Sequence, residues 1–451
     1  MDKLLIIADD FTGALDTGIQ FTKMGIRAKI VTDYQYDFQN LKEEYQLLVV
    51  NTDSRPLSSE EAYNRVYHLA VNARKAGFEY VYKKTDSGLR GNIGAEIKAV
   101  MDAYEEDTAY CIPALPSLNR ITRKGVQYID GIPVQESVFG KDPFEPVCKS
   151  DVADVIHIQN DISVEKVPTF SYEQVVWERK EPTVFLFDAE TDHDMYRIAG
   201  RLKEHTNYHV CAGCAGFAAA YEVLLDFERG NPHYMQLSDR LLVLCGSVNE
   251  ITVKQLVYAR KHGFGAGRLQ NGQKLDPAYR ESEAGKEFLD QIYKEICLSE
   301  RFLIDTLDET GKESAREYAA RRNLNSSQVR FGIADTLGWI AAGMIERGWN
   351  GTLCMTGGDT LMGFMRLTGV TELVPVCEIG KGAVLSAMWW HNQRIQVISK
   401  SGGFGEEDIF EKMYDMVSDQ DSIYLKHTFM RNKETIMNRG NIRNEKMDGL
   451  F

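Results

Sequence analysis

Short runs of consecutive apolar residues, each stopping at a cluster of small polar or charged residues and followed by a helical pattern, recur along this chain. They include Leu4–Ala8 before Asp9-Asp10, Leu47–Val50 before Asn51-Thr52-Asp53, Tyr80–Tyr82 before Lys83-Lys84-Thr85-Asp86, and Tyr110–Leu115 before Pro116-Ser117. Further along come Val184–Phe187 before Asp188, Leu241–Leu244 before Cys245-Gly246-Ser247, Leu353–Met355 before Thr356-Gly357-Gly358-Asp359, and Ile395–Ser399 before Lys400-Ser401-Gly402-Gly403. An uninterrupted apolar run leaves no face for water, so it suits a strand covered by helices on both sides, as in a parallel sheet. In such sheets ligands bind beyond the carboxyl ends of the strands, where these polar residues fall. The expected fold class is α/β.

A chain of 451 residues is too long for one ordinary core. Residues 226–239 carry charge, Gly and Pro without periodicity, which marks a boundary. Two domains are expected, each a largely parallel sheet flanked by helices, over residues 1–232 and 233–418. Residues 419–451 form a tail without an apolar face. Three helical stripes are readable: Ile93, Ile97, Val100, Met101 and Tyr104; Phe217, Tyr221, Leu224 and Leu225; and Leu361, Phe364 and Met365.

The balance of 52 Lys+Arg against 66 Asp+Glu gives a net charge of −14. Such a surface argues against nucleic-acid binding, which needs a continuous basic face, but a few local cations can still build an anion pocket. The start, MDKLLIIADD, is too short in apolar residues for an export signal, and the uncharged stretch 206–221 is too short to span a bilayer. Eight Cys scattered over this length do not make a disulfide framework, so a cytoplasmic protein without membrane partners is expected.

Three groups of residues could carry chemistry. Asp9-Asp10-Phe11-Thr12-Gly13 places two carboxylates at a strand end, with Thr12 available to cap the next helix; carboxylates there could accept a substrate hydroxyl, bind Mg²⁺ or take a proton. The adjacency excludes a haloacid-dehalogenase-type site, whose two Asp are separated by one residue. Lys83-Lys84-Thr85-Asp86-Ser87-Gly88-Leu89-Arg90-Gly91-Asn92 brings three cations and a helix start together, which suits an anion. Arg55 could clamp a carboxylate with its planar fork, and Arg120-Ile121-Thr122-Arg123-Lys124-Gly125 is a further basic loop. Third, residues 357–405 hold nine Gly in 49 positions, well above the chain average of 37 in 451. Thr356-Gly357-Gly358-Asp359-Thr360, Lys400-Ser401-Gly402-Gly403 and Cys245-Gly246-Ser247 together describe a phosphate site, because glycines let backbone N–H groups approach phosphate oxygens. Cys211 and Cys214 lack the cationic surroundings of a redox pair and read as structural. The nine His show no metal-ligand spacing, and Trp389-Trp390 reads as core or interface.

These motifs, in this order, resemble the four-carbon acid sugar kinases, ATP-dependent enzymes that phosphorylate aldonic acids such as threonate and erythronate. The resemblance spans about residues 3–415 and also takes in Asp142-Pro143, Ser150-Asp151 and Asp188-Ala189-Glu190-Thr191-Asp192. It implies an amino-terminal sugar-acid domain and a carboxyl-terminal nucleotide domain. Asp9, Asp10, Arg55, Lys84, Asp86, Ser87 and Arg90 would bind the acid sugar; Ser247, Gly357, Gly358, Asp359, Thr360, Gly402 and Gly403 would hold ATP. The implied reaction is in-line transfer of the γ-phosphoryl to a terminal hydroxyl. Arg90 or Arg55 would clamp the carboxylate, Asp10 or Asp86 would orient or deprotonate the hydroxyl, and Lys84 would offset developing charge. Mg²⁺ would travel with ATP, and a homodimer is compatible with the pattern. Cys214 stands where such proteins carry a Ser, and Gly380-Lys381-Gly382 replaces a Pro-Gly turn. Two rival readings stay open: a kinase of another small hydroxy acid, and a catalytically silent sugar-acid sensor.

Overall fold

The computed structural model describes residues 2–42, 45–142, 145–205, 207–230 and 238–418. The expected boundary at residues 232–233 and the expected tail at 419–451 lie outside them. The chain divides into two compact units, Met1–Asn231 and Pro232–Phe451.

In the first unit the strands are β1 (Leu4–Ala8), β2 (Ala28–Val31), β3 (Leu47–Asn51), β4 (Tyr80–Lys84), β5 (Thr108–Ile112), β6 (Arg120–Arg123), β7 (Val126–Ile129), β8 (Ile132–Pro133), β9 (Ser163–Val167), β10 (Thr183–Phe187) and β11 (Val210–Gly213). Eight of them form a sheet in the order β2-β3-β1-β4-β11-β5-β10-β9, parallel throughout. Every residue of β1, β3 and β10 is buried, as strands covered on both faces require. Helices Ser59–Lys75 and Ile93–Tyr104 pack on each other, and their apolar stripes fill one core with Leu5, Ile7, Leu48 and Val81. The first of these helices starts at a capping box in which Ser58 and Glu61 satisfy each other's backbone N–H. β6, β7 and β8 form a separate antiparallel sheet. Arg120–Arg123 is therefore a strand, turning at Lys124-Gly125, rather than the loop expected; its β-branched Ile121 and Thr122 pair with Tyr128 and Gln127.

The second unit contains β12 (Leu241–Cys245), β13 (Gly265–Arg268), β14 (Arg301–Asp305), β15 (Thr352–Thr356), β16 (Glu372–Gly380), β17 (Ala383–Trp390) and β18 (Gln393–Lys400). Their order is β13-β14-β12-β15-β18-β17-β16. The first five are parallel, and β18, β17 and β16 continue as an antiparallel meander. Both units thus open with the same wiring: the first strand is interior, the second lies two places to one side, the third fills the gap, and the fourth flanks the first on its other side.

Two further expectations change. Phe217, Tyr221, Leu224 and Leu225 do not lie on one helix. Ala215–Ala218 and Tyr221–Leu224 are separate short helices, and Leu225 is extended, although all four side chains are buried. Trp389 is 54% exposed, so it is not core, whereas Trp390 packs edge-on against Phe364. Among the described residues no helix is long and apolar enough to cross a membrane.

Candidate active site

In the first unit the connection leaving β1 runs through helix Phe11–Lys23 to β2, on one side. The connection leaving β4 runs through helix Ile93–Tyr104 to β5, on the other. The chain therefore parts at the carboxyl ends of β1 and β4, the place where open parallel sheets bind ligands. The loops after β1, β3 and β4 bring Asp9-Asp10, Thr52–Arg55 and Thr85–Asn92 to that point. Asp53 and Leu89 both take left-handed backbone conformations there, with φ of 46° and 63°, and Leu89 is buried as well. Non-glycine residues held in this region store strain, which concentrates at functional loops.

Arg55 binds all three loops together. Its Nε donates to Asp9 Oδ2 at 2.7 Å, its Nη2 lies 2.8 Å from Asp10 Oδ1, and Asp86 Oδ1 is 4.0 Å away. Asp86 in turn accepts from Arg90 Nε at 2.7 Å and Nη2 at 3.2 Å, and Arg90 Nη1 reaches Asp142 at 3.5 Å. Burial opposes the charge on Asp86, but Arg55 and Arg90 overcome it and hold the carboxyl well below the usual carboxylate range. Burial opposes Asp9 too, and Arg55, Lys83 and Lys84 hold it down. Asp9 Oδ1 is buried without a hydrogen-bond partner among the described residues. Lys84 Nζ donates to Thr85 O at 2.7 Å, and Ser87 Oγ accepts from Arg120 Nη1. Asp9, Asp10, Arg55, Lys84, Asp86, Ser87 and Arg90 thus meet around one strand-end cluster.

Two details differ from the expectation. Asp10, not Thr12, caps helix Phe11–Lys23, accepting from Gly13 N at 3.0 Å, because its extended backbone sets the side chain over the free N–H groups of the first turn. Lys83 does not join the anion loop. β4 continues to Lys84, so the alternation of strand side chains sends Lys83 away from it. Lys83 is fully buried, with Nζ at 2.8 Å from Glu96 Oε2, 3.1 Å from Ile7 O and 2.7 Å from Lys84 O. Glu96 also accepts from Ser54 Oγ, which meets Thr52 Oγ1 at 2.7 Å, and Thr52 donates to Ala8 O. This polar network underpins the loops from below. Glu96 carried a readable signal: it sits three residues after Ile93 and four before Val100, on the helix's apolar stripe, where an isolated charge must have a buried partner.

In the first unit Cys214 ends the loop after β11. Cys211 and Cys214 are free and buried; burial pushes the Cys211 thiol up to about 12 and raises that of Cys214. Thiols so disfavoured as thiolates are poor redox nucleophiles.

In the second unit the loops after β12, β15 and β18 lie on adjacent strands. Gly357, with φ of 93°, begins helix Gly358–Thr368 without any side-chain cap, leaving its first amides to other acceptors. Asp359 in that first turn is held by Arg330 through two contacts of 2.6 Å, a partner the sequence did not suggest. Thr360 Oγ1 bonds back to Thr356 O at 3.0 Å. The Ser401–Gly405 loop does not lead directly into a helix, since the next begins at Ile409. It is instead docked on helix Glu250–Lys261: Thr252 Oγ1 donates to Gly402 O at 2.7 Å, and Gln255 Nε2 serves the carbonyls of Phe404, Gly405 and Glu406. Gly402 touches Ser247 so closely that a methyl group would overlap Ser247 Oγ. Ser247, Gly357–Thr360 and Gly402 therefore share one strand-end surface. Lys400 beneath them is 1% exposed; burial lowers its pKa, and Nζ donates to Ser401 O at 3.0 Å. Among the described residues no group of three or more His, Cys, Asp or Glu side chains is arranged to hold a metal ion.

Comparison with known proteins agrees with this division. Residues 4–221 match the sugar-binding N-terminal domain family, and residues 242–410 the nucleotide-binding C-terminal domain family. The chain belongs to the four-carbon acid sugar kinase family. As such it is a phosphotransferase acting on a hydroxyl group of a small molecule. It is 28% identical to a D-threonate kinase of Salmonella typhimurium, over 90% of this chain and 96% of that protein. It is 27% identical to a D-erythronate kinase of Heliobacterium modesticaldum, over 90% and 95%. The crystal structure of Haemophilus influenzae protein HI1011 shares the fold, with a TM-score of 0.71 at 20% identity, covering 92% of this chain and 100% of that one.

Two outcomes follow from these contacts. Glu96→Ala leaves a buried lysine without its counter-ion and should cost about 3–5 kcal/mol. Lys83→Met with Glu96→Leu should cost much less than that, and urea denaturation of both variants measures the difference. Gly402→Ala should push Ser247 Oγ aside and weaken ATP binding in calorimetry roughly tenfold, about 1.4 kcal/mol, while circular dichroism stays native; unchanged affinity would remove this loop as a candidate phosphate site.

Proposed function

We propose that the protein transfers the γ-phosphoryl of ATP to the terminal hydroxyl of a four-carbon acid sugar, namely threonate, erythronate or a 3-oxo-tetronate. The observation that carries this reading is the gathering of Asp9, Asp10, Arg55, Lys84, Asp86 and Arg90 at the point where the first sheet's connections part. The relatives named above act, by their names, on acids of this size. Ser247, Gly357–Thr360 and Gly402-Gly403 hold the nucleotide's phosphates on backbone amides and a helix start, an arrangement suited to phosphate whatever the base attached.

Among the three strand-end carboxylates, Asp10 is the one a substrate can reach. Its side chain is 28% exposed, against 3% for Asp9 and 10% for Asp86. Its bonds to Gly13 N and Arg55 both use Oδ1, leaving Oδ2 for a hydroxyl. Asp86, with its pKa driven down by two arginines, is a poor proton acceptor and serves to hold Arg90 and Arg55 in place. Asp10 therefore orients the attacking hydroxyl and takes its proton, while Lys84 offsets charge developing on the transferred group. The donor set does not fit a protein-held Mg²⁺, since Asp9, Asp10 and Asp86 are each engaged by arginine. Mg²⁺ would then travel with the nucleotide and would supply charge neutralisation there.

An ADP-release screen of the purified protein across D- and L-threonate, D- and L-erythronate and the 3-oxo-tetronates tests the reading; turnover of none of them would sink it and favour the silent sensor. In the active case Asp10→Asn should keep the fold, because Asn caps a helix as well as Asp. Its kcat should fall roughly 10²–10⁴-fold with KM little changed. Wild-type turnover in that variant would move the proton acceptor elsewhere.

A further inference from the structure

We propose that Arg120, seated over the Phe139 ring, binds the carboxylate of the acid sugar and so decides that an acid, rather than a neutral polyol, is accepted. The inference rests on the reading above and revises one part of it. A carboxylate is best recognised by a planar guanidinium offering two parallel N–H donors. Arg55 and Arg90 were the expected clamps, but both forks already face the protein's own carboxylates. Arg55 gives Nε to Asp9 and Nη2 to Asp10, and Arg90 gives Nε and Nη2 to Asp86 and turns Nη1 toward Asp142. A substrate carboxylate arriving at either would have to displace a fixed partner and approach several like charges at close range.

Arg120 is placed differently. Among the described residues it forms no ion pair. Among those residues its one side-chain hydrogen bond runs from Nη1 to Ser87 Oγ, in the strand-end loop itself. Its guanidinium lies 5.0 Å from the centre of the Phe139 ring, and that of Arg90 lies 5.1 Å from the same centre. The ring sits over Gly88, where a methyl group would overlap it. Phe139 thus holds the Arg120 guanidinium by a cation–π contact, without using a counter-ion, and the remaining N–H groups stay available. The backbone is fixed as well: Arg120 exchanges both backbone hydrogen bonds with Leu115, and Gln127, on the neighbouring strand, donates to Ser87 O at 3.0 Å. Hairpin and loop therefore hold one position relative to each other.

The direction of approach is consistent with two-ended recognition. Asp10 follows β1, on one side of β4; Cys214, which feels the charges of both Lys84 and Arg120, follows β11 on the other. One end of a small acid is then read at Asp10 and the other at Arg120, with the Lys84–Ser87 segment between them. The sequence offered Arg120 only as part of a basic stretch. Its neighbour Arg123 pairs with Glu190 at the surface, so proximity in sequence did not separate the two.

Steady-state kinetics of wild type, Arg120→Gln, Arg120→Lys and Phe139→Leu test the proposal, using the best acid from the screen and the matching tetritol, in which a hydroxymethyl group replaces the carboxylate. Arg120→Gln should raise KM for the acid on the order of 10–100-fold, the value of a charged hydrogen-bonded pair, with KM for ATP unchanged. It should also abolish the preference for acid over tetritol. Arg120→Lys keeps the charge but loses the fork and should fall between; Phe139→Leu should raise KM for the acid less than Arg120→Gln does. Native circular dichroism and an unchanged KM for ATP in Arg120→Lys keep the comparison valid if Arg120→Gln fails to fold. Acid preference and KM retained in folded Arg120 variants of an active enzyme overturn this assignment alone. A wild type inactive on every four-carbon acid overturns the substrate reading and this inference with it.

Discussion

Arg55 is the residue on which the first unit's site depends. Three loops end at one sheet edge and carry Asp9, Asp10 and Asp86, whose mutual repulsion would drive the loops apart. One half-buried guanidinium contacts two of these carboxylates closely and lies within 4.0 Å of the third. Charge and geometry are thereby settled before any ligand arrives, which is what preorganisation requires: the protein's dipoles need not reorganise during the reaction. A ligand that approaches Arg55 therefore meets a guanidinium already engaged by Asp9 and Asp10.

Beneath Arg55, the Lys83–Glu96 pair performs a second task of the same kind. Neither charge is exposed, and their attraction does not by itself guarantee a gain in stability, since desolvating both ions is expensive. What the pair does provide is specificity of placement. Glu96 receives both Lys83 and Ser54, so the helix after β4 is tied to β4 and to the loop after β3. Burial pushes the Glu96 carboxyl up while Lys83 opposes it, so the pair stays hydrogen-bonded within the core. The loops carrying Arg55 and Asp86 then have a common floor.

How much of this could be read beforehand follows from periodicity. β1, β3, β10, β12 and β15 were legible because strands buried on both faces are uniformly apolar. The edge strands were not: Ser163–Val167 carries Glu and Lys, and Gly265–Arg268 is half glycine, since an edge with one open side needs no continuous apolar run. The antiparallel partners β16 and β17 escaped for a different reason. Their apolar stretches resemble buried parallel strands, and only the turn at Lys381-Gly382 signals the reversal. In the site, residue types and their loops were legible, while directions were not. Lys83 and Lys84 are adjacent and chemically identical, yet strand alternation sends one to the core and the other to the strand-end cluster; the extent of β4 decides which. Arg120 and Arg123 pose the same problem on β6.

The two units start from one wiring and furnish their strand ends in opposite ways. In the first, the strand-end loops carry charged side chains, fixed by one another. In the second, the loops after β12, β15 and β18 carry Gly246, Gly357 and Gly402, and Asp359, at the start of the helix after β15, is paired with Arg330. Side-chain recognition distinguishes a carboxylate from a hydroxyl at each position of a small molecule, because every fork and every acceptor has a fixed direction. Backbone amides and a helix start favour any phosphate, and demand only that no Cβ intervene. On the proposed function, discrimination is needed for the acid sugar, whose isomers differ by single hydroxyl placements, and not for the phosphates, which are alike in every nucleotide triphosphate. The distribution of charge and glycine between the units is then what the two recognition problems require, although sheet order alone would have allowed either solution in either place.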